Sequence, residues 1–206
     1  MGRKKQVTKE YILEKSFELL RREGCESITI GRVARELGIS TQPISWRFGG
    51  MDGLRSALLL KATAYMNQTI TKDLRKSGQK MNPSAALATV GKRSVDFVYD
   101  EPNLSEFIRF TKGEKSEETM IPKYIELRKA IANEYAEYNV TENMAASFIR
   151  DCIIYTQGLS TLIFNGAIAG NRRSFHKMQE EFGLARLISL GIPREVVEDH
   201  LGTDKR

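Results

Sequence analysis

The chain of 206 residues lacks most of what marks a secreted, metal-bound or membrane-spanning protein. It has two cysteines, Cys25 and Cys152, far apart and without metal-type spacing. That argues against a disulfide framework or a zinc site; each reads as a small buried hydrophobe in a reducing cytoplasm. The two histidines, His176 and His200, both lie near the C-terminus. Neither stands beside a glycine-rich phosphate loop, a nucleophile elbow or a metal-spaced partner. Acidic pairs such as Glu117/Glu118 and Glu180/Glu181 fall in solvated runs. The expectation is a protein that is not an enzyme and needs no metal and no cofactor. Polar Gly2–Glu10 is not followed by an apolar signal region, and the best apolar run, 158–169, is broken by Ser160, Thr161 and Asn165. A cytoplasmic protein with no membrane partner is expected. Alternating strand patterns are also missing.

What is present is helical spacing throughout, so the fold class is expected to be all-α. Thr8 is placed to cap a helix from Lys9 to Arg22, with Ile12, Leu13, Ser16, Phe17 and Leu20 on one face and Gly24 closing it. A second helix follows Thr29 and ends before Gly38, and a third follows Ser40, with Gly49-Gly50 behind it. Further helices are expected from Met51 to Arg75, from Asn82-Pro83 to Tyr99, over Leu104–Phe110, and from Pro122 to Tyr138. Two long ones follow, from Thr141 to Ala169 and from a Ser174 cap onward, before a short terminal helix beginning at Ile192-Pro193. Prolines just inside helix starts support this reading. Residues 112–119 read as a solvated loop.

Charge is uneven. The net charge is +6, and residues 1–55 hold eleven Lys/Arg against seven Asp/Glu, which puts most of the excess in a quarter of the chain. That allows a polyanionic partner without demanding one. In the same segment a capped helix ends at Leu37-Gly38, a turn passes through Ile39, and a short helix begins after Ser40. This is the helix-turn-helix arrangement, whose second helix enters the major groove. A small residue must stand at the turn (Gly38) and an apolar plug must follow it (Ile39). Short polar side chains must open the second helix, as Ser40, Thr41 and Gln42 do. Gln42 can pair with adenine and Thr41 can touch a thymine methyl. Arg47 and the arm Arg3, Lys4, Lys5 are candidates for phosphate or minor-groove contacts.

The run Tyr11-Ile-Leu, Phe17-Glu-Leu-Leu, Glu23-Gly24, Ile28-Thr29-Ile30, Val33-Ala34-Arg35-Glu36-Leu37-Gly38-Ile39-Ser40, Phe48 and Leu54 resembles the TetR family of transcriptional regulators. The resemblance covers about the first 55 residues. It implies an N-terminal three-helix DNA-binding domain, residues 1–55, and a helical effector-binding and dimerisation domain, residues 56–206. It further implies a homodimer on a palindromic double-stranded operator and a small-molecule effector, still unidentified, that releases a repressor. The DNA-contact set then extends to Thr29, Arg32, Pro43, Ser45 and Trp46. Ser45 stands where the family commonly has tyrosine, Arg47 where it has histidine, and Met51 where it has lysine. These departures keep an alternative open: a TetR-like protein with weakened or lost DNA binding, acting through protein or ligand contacts.

Beyond residue 55 the resemblance is one of layout and of Gln157-Gly158-Leu159. The dimer interface is expected on the last two long helices, through Phe148, Cys152, Leu159, Phe164, Met178, Phe182 and Ala185. Polar groups set among apolar ones, namely Tyr99, Arg109, Tyr124, Arg128, Tyr155, Thr156, Gln157 and Asn165, could line an effector pocket or simply be solvated and satisfied core groups.

Overall fold

The computed structural model describes residues 7–75, 81–111 and 121–202. The described residues form helices and turns without a strand. The order is α1 (Lys9–Glu23), α2 (Ile30–Leu37), α3 (Gln42–Phe48), α4 (Met51–Thr71), α5 (Pro83–Asp100), α6 (Pro102–Phe110), α7 (Ile121–Glu134), α8 (Glu142–Phe164), α9 (Arg172–Ile188) and α10 (Arg194–Leu201). The arm Arg3, Lys4, Lys5 and the expected loop 112–119 lie outside the described residues.

The chain divides into two compact units, Met1–Asn67 with Glu101–Lys115, and Gln68–Asp100 with Ser116–Arg206. The boundary expected after residue 55 falls inside α4, and the first unit also takes in α6. Its core is built from Ile12, Leu19, Leu20, Ile28, Val33, Ile44, Leu54, Leu58 and Leu104, each at most 1 % exposed. α6 is tied to α1 by Glu101, which accepts from the Arg21 guanidinium through both oxygens and from Tyr65 Oη at 3.1 Å. Asn103 Nδ2 donates to the Arg21 carbonyl at 2.9 Å.

The second unit holds α5 and α7–α10. One apolar cluster centres on Ile131, Tyr135, Phe148, Ile149, Leu187 and Val197. A second gathers Val95, Leu159 and Phe175. Glu134, with a side chain 4 % exposed, joins three helices. It accepts from the Ser84 amide at 2.8 Å and from the Ser84 hydroxyl, and faces His200 Nδ1 at 3.1 Å. Ser84 Oγ also meets Tyr135 Oη at 2.9 Å.

Several helix ends differ from expectation for local reasons. α8 stops at Phe164 rather than near Ala169, because Asn165 closes it and Gly166 turns to φ 63°. α7 stops at Glu134, and a 3-10 turn covers Ala136–Tyr138. α9 starts earlier: Asn171 is its cap, and Ser174 is the third residue of a reciprocal capping box rather than the cap itself.

Candidate nucleic-acid interface

The helix-turn-helix is assembled by caps. Thr29 Oγ1 accepts from the Arg32 amide at 3.1 Å and starts α2. Gly38 ends it in the left-handed region (φ 65°, ψ 35°), its amide returning to the Ala34 and Arg35 carbonyls. A β-carbon is disfavoured in that conformation, so glycine sets the turn angle. α3 opens at Thr41 rather than Ser40, without a side-chain capping bond, and Pro43 lies in its first turn, where a missing amide hydrogen costs little. Gly53 supplies a close approach on the far side. A Cβ there would stand 1.7 Å from the Phe48 carbonyl oxygen, so α4 can start this near α3 only with hydrogen at that site.

α3 is anchored by Ile44 (0 % exposed) and Phe48 (8 %). Ser40, Thr41, Gln42 and Ser45 are exposed, and Trp46 is 81 % exposed, so Trp46 is not a prop against α1. Pro43 and Arg47 are half-buried. The Arg47 guanidinium carbon lies 5.7 Å from the centre of the Trp46 ring, and Arg47 Nε is buried without a partner among the described residues. Lys9 Nζ sits 5.3 Å from the Phe48 ring centre.

One expected contact residue is engaged within the protein. Arg32 faces two carboxylates, Glu36 at 2.7 Å and Glu23 at 2.9 Å, and Arg22 bonds the same pair. These hydrogen bonds, with Glu36 foremost, raise the Arg32 pKa, and the Arg22 and Arg32 bonds hold the Glu23 and Glu36 carboxyls below their ordinary values. The guanidinium braces α2 against the end of α1 and offers little charge to a phosphate. Thr29 has its hydroxyl committed to the cap. Arg35 and Arg55, which the sequence reading passed over, are exposed and carry no ion pair among the described residues.

In the second unit the expected interface residues separate. Phe148 (2 % exposed) and Leu159 (4 %) are packed inside the protomer's own core. Cys152 packs against the same cluster, and burial pushes its thiol up to about 12. Met178 packs against Val95, Leu159 and Phe175. Phe164 is half-buried. Phe182 stacks on Tyr155 with centroids 4.1 Å apart and planes 7° from parallel, and Ala185 is exposed. The apolar surface α8 leaves open is instead Ile154 (63 % exposed) and Leu162 (44 %), with Gly158 exposed between them. Their four-residue spacing was legible, but two stronger apolar stripes on the same helix hid it.

The polar candidates for an effector do not converge. Gln157 and Asn165 are exposed, Arg128 pairs with Glu142 at 2.8 Å, and the Arg172 guanidinium lies 4.9 Å from the Tyr99 ring centre. Tyr124 is half-buried, and desolvation raises its pKa. Arg109 belongs to the first unit, and desolvation lowers its pKa. Thr156 alone joins a buried polar set: its hydroxyl donates to Gln179 Oε1 at 3.2 Å, beside Gly91. Gln179 Nε2 and Ser160 Oγ are buried without a partner among the described residues. Gln179 and Gly91 carried no signal in the local pattern. The histidines are engaged structurally, His176 with Asp96 at 2.9 Å and His200 with Glu134. No group of three or more metal-capable side chains occurs among the described residues, and no described helix is long and apolar enough to cross a membrane.

Residues 12–58 match the family model described as bacterial regulatory proteins, tetR family. No curated protein matches the chain. Among solved structures, a tetR-family transcriptional regulator from Streptomyces coelicolor superposes with a TM-score of 0.63 at 19 % identity, over 98 % of this chain and 90 % of that one. Mycobacterium smegmatis AmtR aligns over 97 % of each chain at 17 % identity, with a TM-score of 0.43. Residues 12–58 thus carry the helix-turn-helix segment of the tetR family, and the chain shares the all-helical fold of a solved tetR-family regulator along nearly its whole length.

Proposed function

We propose that the chain is a DNA-binding transcriptional regulator, a two-fold dimer that represses by occupying a palindromic operator and is released by a small-molecule effector. One observation carries this reading. α3 is bolted to its support by Ile44 and Phe48 while Thr41, Gln42, Ser45 and Trp46 all face outward. A short helix with that division is built to enter a major groove. Phosphate contacts are assigned to Arg35, Arg47 and Arg55, with the arm Arg3, Lys4, Lys5 adding charge. The absence of a tyrosine at Ser45 and a lysine at Met51 places more of the task on them. We assign the dimer contact to Ile154, Gly158 and Leu162 of α8, with the Tyr155–Phe182 stack and Ala185 beside them. The effector's polar group is assigned to the buried set of Thr156, Ser160 and Gln179. An effector acts here only through its differential affinity for the DNA-bound and free arrangements.

Selection from random duplex DNA, followed by gel shifts across a salt series, tests the reading. Enriched sites should be inverted repeats with half-sites about 34 Å apart, and affinity should fall steeply with salt. No enrichment and no shift even at low salt would instead support a family member that has lost DNA binding.

A further inference from the structure

Which residue of α3 leads into the groove follows from its geometry. Successive residues of a helix are rotated by about 100°. Ile44 and Phe48 define the buried face, and the direction opposite their midpoint is the direction of Trp46. Gln42 lies about 40° from that direction and Ser45 about 100° from it. Trp46 is therefore the outermost side chain of the helix as well as its most exposed, at 81 %. No surface can dock on this face of α3 without meeting the indole.

Resting on the DNA-binding reading, we infer that Trp46 is a specificity determinant that reads a thymine 5-methyl group, near an adenine read by Gln42. An indole offers one N–H donor and an otherwise apolar surface. The apolar group that a base pair displays in the major groove is the thymine methyl. Gln42 and Trp46 are four residues apart on one face, a rise of about 6 Å, which spans roughly two base-pair steps of 3.4 Å. Gln42 presents the amide that pairs with adenine N6 and N7. The half-site should therefore contain two A·T pairs separated by one base pair, one read by hydrogen bonds and the other by apolar contact. Trp46 carries no charge, so its contribution is to choice of sequence and not to counterion release.

The test uses the full-length chain and the operator enriched from random DNA. Each thymine of the half-site is replaced in turn by deoxyuridine, which removes one methyl group. Wild type should lose about fourfold in affinity at one thymine, the equivalent of one buried methyl. Trp46→Ala should bind the parent operator more weakly and be indifferent to deoxyuridine at that position. Trp46→Phe, which keeps an apolar ring, should retain the sensitivity. The slope of affinity against salt should be the same in all three proteins. Trp46 is the sole tryptophan, so its fluorescence should shift or quench on operator binding. If Trp46→Ala weakens all sequences equally, or if both proteins respond identically to every deoxyuridine, the inference is overturned while DNA binding stands. If no sequence is enriched, the DNA-binding reading itself falls and this inference falls with it.

Discussion

The two compact units differ in where most of their polar side chains are committed. In the first, many polar side chains cap helices, as Thr8 and Thr29 do, or pair at the surface, as Arg22, Glu23, Arg32 and Glu36 do, and the buried Glu101 is held by Arg21 and Tyr65. The interior around α1–α3 is almost wholly aliphatic and aromatic, with Ser16 an exception. In the second, polar groups are drawn inside: Ser84, Ser160, Gln179 and the Glu134 carboxylate are all buried. A rigid frame with its chemistry outside suits docking on a fixed polymer. Both units bury polar atoms without a hydrogen-bond partner among the described residues, Ser16 Oγ and Arg47 Nε in the first and Ser160 Oγ and Gln179 Nε2 in the second; each such atom costs about 1–3 kcal/mol and is relieved by a ligand that supplies a partner.

Each unit contains one cysteine, and the largest expected contrast lies there. A thiol reacts as its thiolate. Burial raises the Cys152 pKa to about 12, so at pH 8 it is ionised to roughly one part in ten thousand. Alkylation of Cys152 in the native protein should be about a thousandfold slower than that of a free thiol. Raising the pH should speed it by increasing the thiolate fraction. Cys25 is also shifted upward, by burial and by Glu106 and Glu26, but it is less deeply covered. It should label first, as followed by mass spectrometry. If Cys152 labels first, the second unit opens more readily than its packing implies.

The next effect separates frame from face within α3. Ile44→Ala removes a side chain that is fully buried, and it should cost about 3 kcal/mol in chemical denaturation. Trp46→Ala, two residues away, should change stability by less than about 0.5 kcal/mol. Comparable losses for both would mean that Trp46 belongs to the support.

These two units were also unequally legible in the sequence. α1 and α2 follow their expected limits because each end is written locally: Thr8 and Thr29 accept an amide three residues on, and Gly24 and Gly38 have positive φ. The misses there, Arg22 in place of Glu23 as the last residue of α1 and Ser40 in place of Thr41 as the opening residue of α3, are shifts of a single position. The Arg32 ion pairs were not legible because one partner comes from another helix, and spacing along α2 cannot report Glu23. The second unit was harder for the same reason throughout. Ser84, Glu134 and His200 meet across 50 and 66 residues of chain. α8 buries apolar residues on more than one face, so periodicity alone could not say which stripe stays open. Phe148 and Leu159 lie on one such stripe with Ala145 and Cys152, and an apolar stripe of that length is what a protomer buries in its own core.

Leu162→Glu tests that reassignment. Leu162 is 44 % exposed, so the charge should leave the protomer's stability within about 0.5 kcal/mol. It should nevertheless weaken self-association by about a hundredfold, or near 3 kcal/mol, read by sedimentation at micromolar concentration. Dimers that survive Leu162→Glu and dissociate with Met178→Glu would return the interface to the residues first expected.

The smallest effect asks whether the interior of the second unit is held below its best stability. Gln179 is 8 % exposed, its Nε2 is unpaired among the described residues, and its Oε1 is bonded to Thr156. Replacement by leucine removes the unpaired donor and leaves the Thr156 hydroxyl free to turn back to a carbonyl of its own helix. Gln179→Leu should then be neutral or stabilising by up to about 1 kcal/mol. A core residue tuned only for stability would show the reverse sign. A loss above about 2 kcal/mol would mean that the amide is satisfied in solution, by a buried water making several hydrogen bonds. The contrast between the two units would then reduce to solvation, and the effector's polar group would have to be sought elsewhere.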